Sequence, residues 1–222
     1  MEHLESQINS LNIMVVDDHP MILLGTIALI KEHYSEVTFI LTSSALETLN
    51  KISLSLPDVI IIDISIPEKP GMSAQTDTGI SLIKQLIQQY PTLNIMVQSS
   101  NFNPLIRLKP YINNHQGGFT IADKTFAPTE TLKMLNWCVQ GLTHTKMLNT
   151  KLEIKPEWLE VLNLAFKEGL TDKKIAEKMY RNTRTIRTYW TKIQDVLEIY
   201  SENNQNLRVL ILKRAKEEGI ID

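Results

Sequence analysis

The sequence of 222 residues has one cysteine, Cys138, no apolar run long enough to cross a bilayer, and no basic start leading into an apolar core. The lone thiol excludes an internal disulfide, and its place in the apolar pattern "LKMLNWCVQGL" assigns it to packing rather than to reactivity. A membrane helix needs about 20 consecutive apolar residues, so a soluble chain with no membrane partner is expected. The polar, acid-bearing opening "MEHLESQINS" is unlike a secretory signal, so a cytoplasmic location is expected. A strong charge of either sign is also missing, the formal net being −2. What remains, 43% hydrophobic and 22% charged residues, is an ordinary globular composition long enough for two domains.

The near-neutral total hides two opposite halves. Residues 1–140 hold 8 Lys and Arg against 13 Asp and Glu; residues 141–222 hold 15 against 12. Within the second half, residues 171–192 concentrate seven cations, Lys173, Lys174, Lys178, Arg181, Arg184, Arg187 and Lys192, against Asp172 and Glu177 alone. Such a concentration points to a polyanionic partner, with a solvated helix face as the bland alternative.

The first half alternates. Strand candidates "NIMVV", "VTFIL", "DVIIID", "LNIMVQSS" and "GGFTIA" are separated by helical spacings in "PMILLGTIALIKEHY", "SALETLNKIS" and "TGISLIKQLIQQY", then by a less regular segment around Pro104 and Pro110. "PTETLKMLNWCVQGL", opening at Pro128, reads as the closing helix. Five strands alternating with helices imply an α/β fold with an open parallel sheet covered on both faces. The β-branched run Val59–Ile62 delivers the chain to Asp63, and ligands of such sheets bind just beyond the carboxyl ends of the strands. Asp63 could simply open a turn, since Pro67, Pro70 and Gly71 follow. Yet the first strand also ends in carboxylates, Asp17 and Asp18. Three carboxylates brought to one edge repel one another unless a hard cation holds them, and Mg²⁺ favours this donor type together with a substrate phosphate. A carboxylate beside Mg²⁺ can attack phosphorus. The hydroxyl and cation needed to steady the phosphoryl oxygens are supplied by Ser99 and Lys124 at the ends of the fourth and fifth strands. His19, beside Pro20 at the start of the first helix, is assigned a structural role, and Thr42, Ser43, Ser44 and Ser100 are read as caps and loop hydroxyls.

The ordered set Asp17, Asp18, Asp63, Ser99 and Lys124 resembles the receiver domain of two-component response regulators, and "VVDDHP" is similar to the NarL/FixJ branch with its LuxR-type helix-turn-helix. The resemblance implies a flavodoxin-like five-stranded receiver over residues 1–142, with Asp63 taking a phosphoryl group from a sensor histidine kinase. It implies Mg²⁺ bound by Asp18, Asp63 and the backbone carbonyl of Ser65, with Asp17 acting partly through water. No turnover of an external substrate is expected. The turn after Asp63 is longer than in the family, running from Pro67 to Gly79, and Phe119 or Ile121 stands where the family has its aromatic switch residue.

A polar stretch, residues 143–154, reads as a linker, and residues 155–222 as an all-α domain. Trp158, Val161, Leu162 and Ala165 trace one helix ending at Gly169, Thr171 caps a second, and Asn182 caps a third. On the third, Ile186, Tyr189, Trp190, Ile193 and Leu197 share one face, whereas Arg184, Arg187, Thr188, Thr191, Lys192 and Asp195 share the other. Trp190 therefore belongs to the core. The segment is similar to the LuxR-type pattern, which implies that Arg187, Thr188 and Thr191 face bases while Lys173, Lys174, Arg184 and Lys192 lie near phosphates. The whole reads as a transcriptional regulator of double-stranded promoter DNA, expected to act as a homodimer with RNA polymerase as a further partner. A phosphorylation-independent regulator, a protein-docking adaptor and a metal-dependent phosphatase are the alternatives.

Overall fold

The computed structural model describes residues 10–148, 154–199 and 206–221; the opening residues and much of the expected linker lie outside them. The described residues form two compact units. One comprises the chain up to Phe102 together with His115–Thr145; the other comprises Asn103–Asn114 together with the chain from Lys146 onward.

In the first unit, strands β1 (Leu11–Val16), β2 (Val37–Thr42), β3 (Val59–Ile62), β4 (Asn94–Ser99), β5 (Phe119–Asp123) and β6 (Thr143–His144) form one parallel sheet in the order β2-β1-β3-β4-β5-β6. The five expected strands are joined by a sixth, which is made from the first two residues of the expected linker and pairs with Phe119 and Thr120. Helices α1 (Pro20–His33), α2 (Ala45–Leu54), α3 (Thr76–Gln89) and α5 (Pro128–Val139) supply the crossovers. Val59–Ile62 is buried throughout because β1 flanks it on one side and β4 on the other. On one face of the sheet Ile13, Val15, Ile61 and Met96 pack with Ile30 of α1 and Leu135 of α5; the alternate residues Met14, Ile60, Ile62 and Val97 are equally buried. Cys138 is sealed in the first of these layers, and burial pushes its thiol up to about 12, as suits a packing residue.

The expected irregular segment after β4 is a 3-10 turn, Asn103–Leu108, followed by one helical turn, α4 (Lys109–Ile112). Its grouping was not legible in advance. Ile106 enters the apolar core of the second unit, and the buried Arg107 donates from Nε to the carbonyl of Gly219 at 2.8 Å. The rest of that unit is α6 (Pro156–Phe166), α7 (Asp172–Lys178), α8 (Thr183–Leu197) and α9 (Leu207–Glu217), packed around Val161, Ile175, Ile186, Ile193 and Ile211. Asn182 caps α8 by accepting from the Thr185 amide at 2.7 Å, whereas Thr171 holds the cap position of α7 without a side-chain bond. No described helix is long and apolar enough to cross a membrane.

One glycine fixes how α3 meets the chain beyond β3. A Cβ at Gly79 would lie 1.9 Å from the carbonyl oxygen and 2.6 Å from the carbonyl carbon of Ile64, both backbone atoms. Gly79→Ala should therefore push α3 away from the residue that follows Asp63, lowering stability by about 1–3 kcal/mol. A denaturant titration checks this, and an unchanged midpoint would show that the helix backs off freely.

Candidate functional site

The chain order reverses between β1 and β3, because the first crossover runs outward to β2 and the next returns to the other side of β1. The carboxyl ends of these two neighbours carry Asp17, Asp18 and Asp63. Val16 pairs with Ile62, and the Asp63 amide donates to the Val16 carbonyl at 2.9 Å, so the residues beyond are set side by side. On the opposite flank Ser99 pairs with Asp123, and the Lys124 amide donates to the Ser99 carbonyl at 3.2 Å. Register alone thus brings residues more than a hundred positions apart to one edge.

Lys124 is the centre of this arrangement. Its Nζ lies 2.7 Å from Asp17 Oδ2 and 2.7 Å from Asp63 Oδ2, donating to both. Burial by itself would lower the Lys124 ammonium, but its hydrogen bonds to Asp17 and Asp63 and their charges outweigh that and hold it above the ordinary lysine value. Asp63 is only 5% exposed, and among the described residues its Oδ1 has no hydrogen-bond partner; nor has the buried Oδ1 of Asp18. His19 closes the rim. Its amide donates to Asp17 Oδ1 at 2.8 Å, and its Nδ1 lies 3.3 Å from that oxygen and 2.9 Å from Asp18 Oδ1, the latter without hydrogen-bond alignment. Asp17, Asp18 and His19 offer ligand atoms within 4.8 Å of one another. Buried carboxylate oxygens lacking a donor fit a hard divalent cation, so the residues present suit Mg²⁺. Ser65 is half-buried beyond β3, and Ser99 is buried at the end of β4.

The long turn after Asp63 is anchored elsewhere. Ile66 and Gln75 bridge its base, and the carbonyls of Pro67 and Glu68 accept from the Ala45 and Leu46 amides at 3.0 Å each, capping the start of α2. Phe119 and Ile121 are both fully buried in β5.

In the second unit, Arg184, Arg187, Thr188, Thr191 and Lys192 are all exposed along α8, and Ile186, Trp190, Ile193 and Leu197 are buried on its other side. Lys173 and Lys174 are exposed on α7. Lys174 pairs with Glu177 at 2.8 Å and Lys178 with Glu168 at 2.6 Å, surface pairs that contribute little to stability. What the sequence reading missed is the fastening of α8. Asp172 Oδ1, in the first turn of α7, accepts from Trp190 Nε1 at 3.0 Å and from Arg208 Nη2 at 2.8 Å, while the Arg208 guanidinium stacks 3.3 Å from the Trp190 ring centroid. A buried indole requires an acceptor, which was the available signal.

A sheet-edge acidic site in one unit and a basic, solvent-facing helix after a short turn in the other have the organisation of a two-part regulator. The response regulator receiver domain family matches residues 13–136, and the chain belongs to the response regulators. It is 30% identical over 195 residues to the transcriptional regulatory protein RcsB of Salmonella typhi, covering 80% of this chain and 84% of that protein. The transcriptional activator protein ExaE of Pseudomonas putida is 24% identical over 207 residues, 86% of this chain and 92% of that one. Among solved structures, an RcsB–DNA complex superimposes with a TM-score of 0.58 at 26% identity over 94% of this chain and 98% of the other. A second, RcsB from Salmonella enterica serovar Typhimurium bound to the promoter rprA with the phosphomimetic BeF3⁻, gives 0.58 at 25% identity over 92% and 98%.

Because the folded pKa of Lys124 is raised, the stability it contributes is complete below about pH 10 and is lost as pH rises through the raised value. Lys124→Met should cost about 3 kcal/mol at neutral pH, since two buried carboxylates lose their counter-charge, and should leave no stability loss of this origin in the alkaline range. Melting curves across pH, with and without Mg²⁺, check both points; the ion should restore part of the neutral-pH loss.

Proposed function

We propose that this chain is a phosphorylation-controlled regulator of transcription, in which Asp63 receives the phosphoryl group and α8 reads promoter DNA. The observation that carries the reading is a buried Asp63 with one oxygen lacking a donor and the other held by Lys124, in the same chain as an exposed basic helix that ends a helix-turn-helix. An Asp63 carboxylate oxygen attacks phosphorus, the bond from phosphorus to the donor's histidine nitrogen breaks, and the imidazole leaves with a proton; the product is an acyl phosphate. Lys124 then turns its ammonium from the carboxylate to a phosphoryl oxygen, and Ser99 donates its hydroxyl to another. A Mg²⁺ ion held by Asp18, Asp63 and the Ser65 carbonyl, with Asp17 through water, would offset the phosphoryl charge. The donor is a sensor histidine kinase and the setting the cytoplasm. The protein turns over no external substrate.

On α8, Thr188 and Thr191 donate their hydroxyls to the carbonyls of Arg184 and Arg187, at 3.1 and 3.3 Å. Their methyl groups are then what they offer a base edge, which suits the thymine methyl. Arg187 reads guanine, and Lys173, Lys174, Arg184 and Lys192 meet phosphates. A homodimer would place two such helices about one helical turn apart on promoter DNA, in reach of RNA polymerase. The RcsB structures solved on DNA support this part of the reading.

Intact-mass measurement after incubation with Mg²⁺ and acetyl phosphate should give a phosphoryl adduct in the wild type and none in Asp63→Asn. A folded wild type that takes up nothing would favour phosphorylation-independent control instead. Lys192→Ala should weaken DNA binding alike on all sequences and reduce the salt slope by about 1, whereas Arg187→Ala should cost about 1–3 kcal/mol and relax preference at one base pair. Binding that ignores salt would point to a protein-docking module.

A further inference from the structure

Among the exposed large apolar and aromatic side chains described, none is more exposed than Tyr180, at 91%, in the turn between α7 and α8. Its backbone is unusual as well. The Tyr180 amide donates to the Glu177 carbonyl at 3.2 Å and the Arg181 amide to the Ala176 carbonyl at 2.9 Å, the paired bonds of a Schellman ending, which puts Tyr180 at φ 52. Helices α5 and α9 close with the same pair of bonds, and there the left-handed residue is glycine, Gly141 and Gly219. Among the described residues Glu198, at the end of α8, is the other of this kind that is not glycine, but an exposed carboxylate is at ease in water. Tyr180 puts a Cβ on a left-handed backbone and an aromatic ring in solvent, so tyrosine is not the residue type that the fold favours there.

Its surroundings indicate what it does serve. Lys178, Arg181 and Arg184 are exposed on either side, and Arg181 Nη1 reaches back to the Tyr180 carbonyl at 3.4 Å. In a helix-turn-helix the first helix crosses the DNA backbone while the start of the second enters the major groove. The residues that join them therefore lie at the lip of the groove, beside phosphate oxygens.

We infer that Tyr180 is a DNA-backbone contact: its phenol donates to a phosphate oxygen at the edge of the groove that α8 enters, setting the depth and register of that helix. The inference rests on the DNA-reading function proposed above. A phenol is neutral, so the contact releases no counterion, and a phosphate carries no sequence information.

The test is fluorescence anisotropy of the full chain on two short labelled duplexes of unrelated sequence, over a series of salt concentrations. Tyr180→Phe removes only the hydroxyl and should weaken binding about fivefold on both duplexes with an unchanged salt slope. Tyr180→Gly should weaken binding at least as much while raising the melting temperature, because the left-handed position suits glycine; a merely structural tyrosine would lower both together. Undiminished binding by Tyr180→Phe overturns the assignment, as does a loss confined to one duplex, which would mean a base contact. If Arg187→Ala is weakened and Tyr180→Phe is not, only the tyrosine's role falls; if the wild type binds neither duplex, the DNA-reading function falls with it.

Discussion

Two buried carboxylates share one ammonium, and the arrangement of the first unit follows from that. Like charges about 4 Å apart repel by about 4 kcal/mol at the dielectric of a protein surface, a large part of the roughly 5–15 kcal/mol that holds a domain folded. Asp17 and Asp63 are adjacent because β1 and β3 are neighbours in the sheet. The fold therefore has to bring a cation to that point, and it does so by running β5 to Asp123 opposite Ser99, so that Lys124 emerges at the same edge. The Lys124 ammonium answers only part of the demand. Among the described residues the Oδ1 atoms of Asp18 and Asp63 remain without donors, an imbalance of the kind that a hard divalent cation would relieve.

The second unit uses a related device for a different end. A single oxygen of Asp172 accepts from both Trp190 and Arg208, tying the first turn of α7 to α8 and α9. With Arg208 stacked on the indole, the pitch of α8 is set from its buried side, and its exposed side is left free of structural duties. The ion pairs on the neighbouring surface are of another kind. Lys174 with Glu177 and Lys178 with Glu168 are solvent-exposed, so their lysines can exchange a glutamate for another anion at small cost. Fixed geometry thus belongs to the buried side of α8, and exchangeable charge to the exposed surface of α7 beside it.

How much of this was legible in the sequence depends on the range of the interaction. Val59–Ile62 announced a central strand ending at Asp63 because a continuous β-branched run has few other uses, and the stripe from Ile186 to Leu197 announced an amphipathic helix with Trp190 inside. Asn182 declared its cap. The sixth strand did not appear, since Thr143 and His144 are too few to show a period and are strand only by pairing with β5. Thr171 has the right residue type at the right place, yet makes no cap bond. Lys124 was legible as the residue after the fifth strand, but its meeting with Asp17 and Asp63 was not, because that depends on the register of β5 against β4. Pro104 and Pro110 correctly foretold a broken helix but not that Ile106 would be buried among residues of α6 to α9, because that depends on contacts with residues far along the chain.

The broken segment owes its form to two prolines and its place to packing. Pro104 and Pro110 each remove a backbone donor, so the segment closes as a 3-10 turn and a single helical turn rather than as a continuous helix. Within the second unit Ile106 joins the apolar core and the buried Arg107 donates from Nε to the carbonyl of Gly219 at 2.8 Å, so residues too few to hold a helix of their own are fixed by their side chains instead.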